Sequence, residues 1–377
     1  MSDLDELRKA IDEIDSRLIG LYNERMRLAE KIAHVKSVSN DSIYKPGREQ
    51  EVIRRAADKS LREYKLGAES FFSTITRISR GVQYEITVEN WEYGNMLNSR
   101  INRASKVARV ACQGVSGAYS FLAAQALFCD AQIIGYPSFS TACEAVHEGR
   151  CDVCVLPLEN STEGTVNEVY DQILKRKLYI LKSITIPIRH CLAGKKGTRL
   201  ENILRVISHP QALAQCMERI AEHGWETVNA PNTAVAAQQV ANGADRAIAA
   251  IASAQAAGEY GLEILIDDLS DNKLNTTRFV VLGKEIEIDP AADRVSVAFT
   301  LPHISGSLAS AIGGFSDYGL NLAKIQSRPI PDKPWEYCFY LDFMARPRDR
   351  RALAALYRLE KETPYFSFLG WYPELTL

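Results

Sequence analysis

The 377-residue sequence lacks the features that place a protein in a membrane or on a nucleic acid. It has no apolar run long enough to span a bilayer, and its first ten residues, MSDLDELRKA, are polar instead of forming an apolar signal region. The formal net charge is −2, so no excess of positive charge favours nucleic acid or an anionic membrane as a partner. We therefore expect a cytoplasmic protein.

The sequence also lacks the cysteine pattern of a disulfide framework or of a zinc site. Its eight cysteines are scattered through apolar stretches, as expected of small core residues in a reducing compartment. The CxxC pair Cys151 and Cys154 lies in a predicted strand, where residues three apart point to opposite faces. Since no second Cys or His pair follows at metal-binding spacing, we expect no metal site.

The patterning divides the chain into three blocks and a polar, basic linker. The blocks are residues 1–95, 107–284 and 294–377, and the linker is residues 96–106. The first block predicts an all-α domain, and the second, which alternates strands and helices, an α/β domain of two lobes with a cleft. Long extended segments near 178–193 and 277–284 are expected to cross between the lobes. The third block follows the order βαββαβ, which predicts an α+β ferredoxin-like domain.

The first block opens with a helical pattern that one residue interrupts. Apolar residues recur every three or four positions at Leu4, Leu7, Ile11, Ile14, Leu18, Leu21, Leu28, Ile32 and Val35. Arg25 stands where this pattern requires an apolar residue. The block predicts three helices, with a break at SNDSIYKPG after the first and with the third running from about Ser70 to Trp91. A helix as long as the first cannot bury its apolar stripe within three helices, so we infer an intertwined homodimer.

Arg25 has two interpretations. It could be a polar residue that sets the register of the bundle, paired with a glutamate. Several further polar residues fall on flanks that converge with it, however: Arg8, Lys36, Arg48, Glu49, Ser79 and Gln83. A group of cations inside a bundle requires an anionic ligand, and arginine binds carboxylates with two parallel hydrogen bonds.

Three segments of this block resemble a known family: LRKAIDEIDSRLIGLYNERMRLAEKIAHVK, YKPGREQEV and SRGVQ. They are similar to the all-helical chorismate mutases that are fused to prephenate dehydratase. The resemblance implies that Arg25, with Arg8 of the partner chain, holds the two carboxylates of chorismate. It also implies that Lys36 and Gln83 donate to the ether oxygen, that Glu49 accepts from the ring hydroxyl, and that Ser79 and Arg48 support binding.

The rearrangement implied here is compatible with these residues. It needs no nucleophile or cofactor, only a substrate held in its reactive conformation and donors aimed at the oxygen that gains charge. Lys45 departs from the family, which usually has aspartate at this position. If the position acts through its backbone amide the change is tolerated, whereas a carboxylate requirement would put mutase activity in doubt.

In the middle block, polar residues gather where strands pass into helices. The segments CQGVSGAYS, LPLENSTEGTVNEVYD, ISHPQALAQC and NTTRFVVLG all have this character. Helix starts of this kind can hold anions, and ligands of open α/β sheets bind at such junctions. The glycine spacing of the first segment is not that of a dinucleotide-binding fingerprint.

These segments resemble prephenate dehydratase, with GxxGAYS, PLENSxxGTV, SHPQALxQC, AIASxxAAxxYGL and TRF in order. The resemblance implies a two-lobed fold like that of the periplasmic binding proteins, with the site in the cleft. It implies that Thr277 assists the departing hydroxyl, whereas the neighbouring Thr276 is interpreted as an ordinary strand residue. His209 is either a proton donor or a structural residue before proline. The implied substrate-binding residues are Ser116, Tyr119, Ser120, Glu159, Asn160, Ser161, Thr162, Thr165, Ser208, His209, Gln211, Gln215, Arg278 and Phe279.

The third block resembles the regulatory ACT domain of the same enzymes, in which two motifs bind phenylalanine. The motifs here are Gly306, Ser307 and Leu308, and Gln326, Ser327, Arg328 and Pro329. Gln326 replaces the family's glutamate, which removes a charge but keeps a hydrogen-bond acceptor. We expect feedback by phenylalanine; the alternative is an ACT domain that serves only dimerisation.

The sequence therefore predicts a cofactor-independent bifunctional enzyme that converts chorismate through prephenate to phenylpyruvate, as a homodimer or a tetramer. Two alternatives remain: a helical block that serves only dimerisation, and a non-catalytic sensor of an aromatic ligand. Arogenate instead of prephenate is a third possibility for the substrate.

Overall fold

The computed structural model describes residues 3–39, 41–103, 105–330 and 333–377. Asn40, in the predicted break after the first helix, and Ala104, in the predicted linker, lie outside the described residues. The chain divides into two compact units. One comprises Met1–Ile101 with Asp293–Phe368, and the other comprises Asn102–Ala292 with Leu369–Leu377.

The N-terminal part of the first unit is helical, as predicted. Its helices are α1 (Asp3–Ser39), α2 (Pro46–Lys59), α3 (Lys65–Thr87) and α4 (Glu92–Ser99). Acidic residues in the first turn of α1 and Lys36 in its last turn complement the helix dipole. Proline near the start of α2 costs no hydrogen bond, because the first backbone N–H groups of a helix have no intrahelical partner.

The linker prediction began too early. Residues 96–99 belong to α4, and Leu97 is fully buried. The predicted third helix, which was expected to continue to Trp91, ends at Thr87 and is followed by a short 3₁₀ turn. A single buried apolar residue among polar neighbours leaves almost no periodic signal, which explains the error.

The apolar stripe of α1 is exposed within one chain. Leu7, Leu21 and Val35 retain 63%, 62% and 68% of their accessible surface. The residues of α1 that are buried are Met26, Ala29 and Ala33, which lie toward its C-terminal half. An apolar stripe of this length requires a further partner to cover it.

The second unit contains two sheets, as the alternation of strands and helices predicted. The larger sheet has the order β16-β5-β11-β3-β1-β2, with the short β4 paired to β3. Its strands are β1 (Arg109–Gln113), β2 (Gln132–Tyr136), β3 (Val153–Asn160), β4 (Gly164–Thr165), β5 (Tyr179–Pro187), β11 (Thr276–Gly283) and β16 (Glu374–Thr376). The smaller sheet has the order β10-β6-β9-β7-β8. Its strands are β6 (Cys191–Gly194), β7 (Arg205–Ser208), β8 (Glu226–Asn229), β9 (Ile248–Ala252) and β10 (Glu263–Ile266).

Helices cover these sheets. They are α5 (Tyr119–Leu127), α6 (Phe139–His147), α7 (Asn167–Arg176), α8 (Pro210–Ala214), α9 (Met217–His223), α10 (Thr233–Asn242) and α11 (Ala254–Glu259). The chain passes between the two sheets at residues 188–190 and 267–275. The segment near 178–193 crosses between the sheets as predicted, although as two strands separated by residues 188–190. The segment near 277–284 does not cross, because it lies in β11 of the larger sheet. The parallel pairing of β16 with β5 was not predicted at all.

The C-terminal part of the first unit has the predicted order βαββαβ. Its elements are β12 (Arg294–Thr300), α12 (Ser307–Asp317), β13 (Leu322–Ile330), β14 (Lys333–Met344), α13 (Arg350–Glu362) and β15 (Tyr365–Tyr372). The strand order β13-β14-β12-β15 places the first strand beside the third, as in ferredoxin-like folds. Both helices pack against α3 within the unit.

None of the helices in the described part of the chain combines the length and apolar character that crossing a bilayer requires.

Gly370 provides a test of the packing of the segment Leu369–Leu377 against β5 within the second unit. A Cβ atom at this position would lie 2.2 Å from the carbonyl oxygen of Ile180, a backbone atom that cannot move aside. We expect Gly370→Ala to lower the free energy of unfolding by about 2–4 kcal/mol, measured by urea denaturation.

Gly258→Ala is the matched control for this substitution. Gly258 lies in α11 and has open space around its missing side chain. Alanine there is expected to be neutral or stabilising by up to about 1 kcal/mol. Equal effects of the two substitutions would contradict the packing described for Gly370.

Candidate active sites

The helical block of the first unit contains a cavity of about 430 Å³ between α1, α2 and α3. Seven of the predicted mutase residues line it: Arg25, Lys36, Lys45, Arg48, Glu49, Ser79 and Gln83. Apolar side chains, among them Leu28 and Val52, complete its walls. The helical periodicity brings these polar residues together although they lie on three separate helices.

Two cations that line this cavity donate hydrogen bonds to backbone carbonyl groups. Arg25 Nη1 donates to the carbonyl oxygen of Ile75 at 3.0 Å and also contacts Ser79 Oγ. Lys36 Nζ donates to the carbonyl oxygen of Ile43 at 2.8 Å. Burial lowers the pKa of Arg25, and the negative charge of Glu49 partly offsets this effect. The direct hydrogen-bond partners of both groups are neutral oxygen atoms, which leave part of their positive charge uncompensated, so the cavity favours an anionic ligand.

Lys36 lies among several charges that change its pKa. Burial lowers the pKa of Lys36, and the neighbouring positive charge of Lys45 lowers it further, whereas Asp41 and Glu49 raise it. Lys45 itself is half exposed and forms an ion pair with Asp41, one turn earlier in the chain.

The side-chain amide of Gln83 is hydrogen-bonded at its nitrogen but not at its oxygen among the described residues. Its Nε2 donates to the carbonyl oxygen of Ser79 at 3.2 Å, whereas its buried Oε1 has no hydrogen-bond partner among the described residues. The amide therefore retains hydrogen-bonding capacity inside the cavity.

The structure separates Arg8 from this group and places Arg48 at its exposed side. Arg8 does not line the cavity; its side chain is 67% exposed and pairs with Asp5 at 3.7 Å. It lies 17 positions before Arg25, about 25 Å along the helix, which is why one chain cannot bring both to one ligand. Arg48 lines the cavity but pairs with Glu51 at 2.7 Å on the exposed side.

Arg80, which the sequence analysis missed, also lines this cavity. Its side chain is 7% exposed and forms an ion pair with Glu49. Burial lowers the pKa of Arg80, but the carboxylates of Glu362 and Glu49 outweigh burial and raise it above its usual value. Its position next to Ser79 in SRGVQ was the only available signal.

The second unit contains a cavity of about 390 Å³ lined by elements of both lobes. Predicted residues that line it are Tyr119, Ser120, Asn160, His209, Gln211, Gln215, Thr277 and Phe279. Residues that the sequence analysis missed are Gln113, His190, Asn232 and Thr233.

Asn160 fixes the direction of the hydrogen bond to Thr277. Its Oδ1 accepts from the backbone N–H groups of Thr162 and Glu163 at 2.9 and 3.0 Å, so this atom must be the oxygen. Its Nδ2 then donates to Thr277 Oγ1 at 2.8 Å. Because Oγ1 acts as an acceptor here, the hydroxyl proton of Thr277 remains available to a ligand.

His190 lies in the crossing segment between β5 and β6, where it is 3% exposed. Its Nε2 lies 3.0 Å from Gln215 Oε1, which also accepts from Asn275 Nδ2 at 3.1 Å. Burial lowers the pKa of His190 despite the hydrogen bond to Gln215, which favours the neutral form of the ring. The prediction of one extended segment near 178–193 did not single out this residue.

Two of the segments that resemble prephenate dehydratase pack on each other instead of both contacting a ligand. Gly117 has φ +86°, and a Cβ atom there would lie 2.8 Å from Ala256 Cα. Ser253 Oγ donates to the carbonyl oxygen of Gly117 at 3.1 Å, and Tyr260 Oη donates to that of Ser116 at 3.0 Å. The segment AIASAQAAGEYGL thus holds the loop GVSGAYS in place.

Seven residues predicted to bind the dehydratase substrate do not line the cavity: Ser116, Glu159, Ser161, Thr162, Thr165, Ser208 and Arg278. Ser208 is fully buried and donates to the carbonyl oxygen of Ile251 at 2.6 Å. Arg278 alternates with Thr277 along β11 and pairs with Glu159 at 3.0 Å. Side chains of successive strand residues point to opposite faces of the sheet, so adjacent residues of one sequence motif cannot all face the cavity.

Three of these residues support the site from outside. Thr162 Oγ1 donates to Asn160 Oδ1 at 2.6 Å, Ser161 Oγ accepts from the backbone N–H of Thr276 at 2.9 Å, and Thr165 pairs with Glu159. His209 lines the cavity and also caps α8, since its Nδ1 accepts from the backbone N–H of Gln211 at 3.3 Å. Burial lowers the pKa of His209.

The predicted effector residues fall in two places. Gly306 and Ser307 line a cavity of about 240 Å³ near the start of α12. Leu308 and the segment Gln326–Pro329, on β13 at the edge of its sheet, are not among the residues that line it. One chain therefore does not bring the two motifs into one cavity in its described part.

Metal ligation finds no support in the described residues, where no three His, Cys, Asp or Glu side chains are grouped to hold an ion.

Family profiles match two segments of this chain. A profile described as chorismate mutase type II covers residues 7–84, and one described as prephenate dehydratase covers residues 110–287. The first contains the helices around the charged cavity, and the second contains both sheets of the second unit apart from β16.

Individual relatives agree with these profiles. An Aquifex aeolicus (strain VF5) protein named bifunctional chorismate mutase/prephenate dehydratase is 31% identical, over 100% of this chain and 99% of its own. An Arabidopsis thaliana chloroplastic protein named arogenate dehydratase/prephenate dehydratase 1 is 38% identical, over 74% of this chain and 75% of its own. The structure of a prephenate dehydratase from Arthrobacter aurescens, in complex with L-Phe, is 30% identical with a TM-score of 0.65. That match covers 71% of this chain and 90% of the other.

The fold and the two cavities define a helical mutase fused to an α/β dehydratase. The chain belongs to the family of bifunctional chorismate mutase/prephenate dehydratases. It therefore has both activities, which lead from chorismate through prephenate to phenylpyruvate in phenylalanine biosynthesis. This result favours the predicted enzyme over both the dimerisation module and the sensor.

The charges around Lys36 lead to a direct test. Replacing Lys45 by glutamine removes the nearby positive charge and leaves Asp41 without its ion pair. Both changes should raise the pKa of Lys36, which NMR titration of its side chain measures. The ammonium form of Lys36 should accordingly persist to higher pH in the variant.

Lys31→Gln is the control, because Lys31 is exposed on the same helix and does not contribute to the shift at Lys36. A Lys36 titration that moves equally in both variants, or in neither, would contradict the proximity of Lys45.

Proposed function

We propose that the helical cavity binds chorismate through its two carboxylates. Arg25 holds one carboxylate, and Arg8 of a second copy of the chain holds the other. Lys36 and Gln83 donate to the ether oxygen, whose negative charge grows as its bond to carbon stretches. Glu49 accepts from the ring hydroxyl, while Ser79 and Arg48 support binding. The convergence of seven predicted residues on one cavity is the observation that carries this proposal.

Lys45 is compatible with this mechanism. Its ammonium group is paired with Asp41, so it adds little net charge to the cavity. The ion pair accounts for a mutase that lacks the usual aspartate at this position.

The proposed site requires two copies of the chain. The exposed stripe of α1 supplies the apolar surface for an intertwined dimer, and Arg8 lies on the same helix, far from Arg25. A second copy that packs along α1 in the opposite direction would place its Arg8 near Arg25. The mutase is then active only as a homodimer or a larger assembly such as a tetramer.

For the dehydratase, we propose that the Thr277 hydroxyl donates to the departing hydroxyl of prephenate. Asn160 holds Thr277 Oγ1 as an acceptor, which directs the hydroxyl proton away from the amide. Loss of carbon dioxide and hydroxide forms an aromatic ring, so one well-placed donor is sufficient and no cofactor is required. Tyr119, Ser120, His209, Gln211, Gln215 and Phe279 surround the substrate in the cavity.

The C-terminal block is proposed to be an ACT domain that binds phenylalanine. Its βαββαβ order and the complex of the Arthrobacter aurescens relative with L-Phe support this assignment. Because Gly306–Leu308 and Gln326–Pro329 are apart within one chain, the effector site needs a second copy beside the β13 edge. We also propose that the enzyme is cytoplasmic, as the sequence predicts.

A proton NMR time course with chorismate alone tests both activities together. Accumulation of phenylpyruvate is expected without added metal or cofactor, whereas chorismate that stays unchanged would contradict the mutase assignment. Parallel assays with prephenate and arogenate compare the two dehydratase substrates.

Thr277→Val tests the proposed donor. Valine keeps the shape of threonine but has no hydroxyl, so we expect dehydratase kcat to fall by about 10²–10⁴-fold while mutase activity is unchanged. Thr276→Val, at the neighbouring position, is the matched control and should retain activity within about threefold, since the half-buried Thr276 does not line the cavity. A dehydratase that is equally impaired by both changes would argue against a specific role for Thr277.

Mixing two inactive variants tests the shared mutase site. Arg8→Gln and Arg25→Gln should each abolish mutase turnover as pure proteins. After unfolding and refolding together, half of the dimers contain one copy of each, and one of their two sites is intact. The mixture should recover about a quarter of the wild-type activity, as two-fold symmetry requires. A mixture that remains inactive would contradict a site shared between chains.

A further inference from the structure

Arg80 lies where the helical block and the C-terminal block meet within the first unit. It lines the mutase cavity and also the cavity of about 240 Å³ whose walls include Ser305, Gly306 and Glu362. Its side chain is 7% exposed, so the guanidinium must obtain compensating charge from the protein.

Two carboxylates from different blocks supply that charge. Arg80 Nε donates to Glu362 Oε1 at 2.9 Å, and Nη2 donates to Glu362 Oε2 at 3.3 Å. The remaining nitrogen, Nη1, contacts Glu49 Oε2. Because the guanidinium is planar and its donors have fixed directions, the two-point contact with Glu362 determines where Nη1 points.

A series of ion pairs holds Glu362 in place. Its Oε2 accepts from Arg358 Nε at 3.1 Å, and Arg358 faces Asp317 at 3.9 Å. Arg77 in turn binds both oxygens of Asp317, at 2.8 and 3.0 Å. This alternating series of charges anchors Glu362 to two helices, so it cannot follow Glu49 if the latter moves.

From these contacts, we propose that Arg80 is a positioning residue of the mutase reaction and that Glu362 of the C-terminal block fixes it. Arg80 orders the Glu49 carboxylate before substrate arrives, and Glu362 sets the plane of the Arg80 guanidinium. The mutase site is thus completed by the C-terminal block. The inference rests on the proposed role of Glu49 as acceptor for the ring hydroxyl of chorismate.

Glu362→Gln tests this arrangement in the full-length protein. Glutamine can accept only one of the two hydrogen bonds from Arg80, so the guanidinium is no longer held in one orientation. The Glu49 carboxylate is then not ordered in advance, and ordering it when chorismate binds weakens binding. We expect KM for chorismate to rise about tenfold, with kcat within about twofold of the wild type, as for loss of one hydrogen bond to a charged group. An unchanged KM overturns the proposal.

Glu360→Gln is the matched control. Glu360 lies on the same helix and also reaches the helical block, where it accepts from Trp91 Nε1 at 3.0 Å, but it does not contact Arg80. Its replacement should leave both mutase parameters unchanged. An equal rise in KM in the two variants would show a general effect of packing and overturn the proposal.

The same substitution in an Arg80→Gln background separates positioning from other effects. If Glu362 acts through Arg80, Glu362→Gln should cause no further rise in KM once Arg80 has been replaced. A further rise of similar size would overturn the proposal. Glu49→Gln tests the underlying function by itself: unchanged mutase kinetics in that variant would contradict the role of Glu49, whatever Glu362→Gln shows.

Thermal unfolding and dehydratase activity of each variant establish that the protein is folded. If Glu362→Gln does not fold, Glu362→Asp is tested in its place. Aspartate keeps the charge, but its side chain is one methylene group shorter, so the carboxylate lies farther from Arg80. KM is then expected to rise about threefold, because the charged hydrogen bonds are weakened but retained. A KM equal to that of the wild type would again overturn the proposal.

Discussion

The need to compensate buried positive charges for the water they have lost is the constraint on which the helical block depends. A guanidinium or ammonium group inside a protein is stable only when other groups replace the water it has lost. Arg80 is surrounded by carboxylates, which raise its pKa. Arg25 and Lys36 are held by neutral carbonyl oxygens, and burial lowers the pKa of both. The difference separates a cation that serves the structure from cations that remain available to an anionic substrate.

The dehydratase cavity follows another principle, in which the direction of hydrogen bonds matters more than charge. Backbone N–H groups can only donate, so those of Thr162 and Glu163 determine which end of the Asn160 amide is oxygen. That choice makes the other end a donor to Thr277 and leaves the hydroxyl with one free proton. A neutral donor is suited to a reaction in which hydroxide departs and aromatisation provides the driving force.

The sequence was sufficient for features that repeat or that depend on local order. The three–four spacing from Leu4 to Val35 predicted α1, and the strand–helix alternation predicted the α/β unit. The residues of the charged cavity were found because helices bring positions three and four apart to one face. Strand faces were less predictable: Arg278 was assigned with Thr277, although adjacent strand residues point to opposite sides.

Features that depend on tertiary contacts were not accessible in this way. The pairing of β16 with β5 joins residues nearly two hundred positions apart, and a three-residue strand has no periodicity of its own. His190 appeared to be part of a strand because nothing in its neighbours indicates the break. Arg80 is recognisable only when Glu362, 282 positions away, lies beside it.

The contact between the helical block and the C-terminal block divides into two parts with different physical roles. The ring centroid of Tyr357 lies 5.1 Å from that of Tyr84 and 5.3 Å from that of Trp91, and such aromatic contacts add stability beyond the area they bury. A buried ion pair contributes little net stability, since desolvation offsets most of the attraction between its charges. The pair of Arg80 and Glu362 is therefore better explained by the orientation it gives to Arg80 than by the stability it adds. The aromatic residues hold the blocks together, and the ion pair determines how the carboxylate of Glu49 is presented to the mutase cavity.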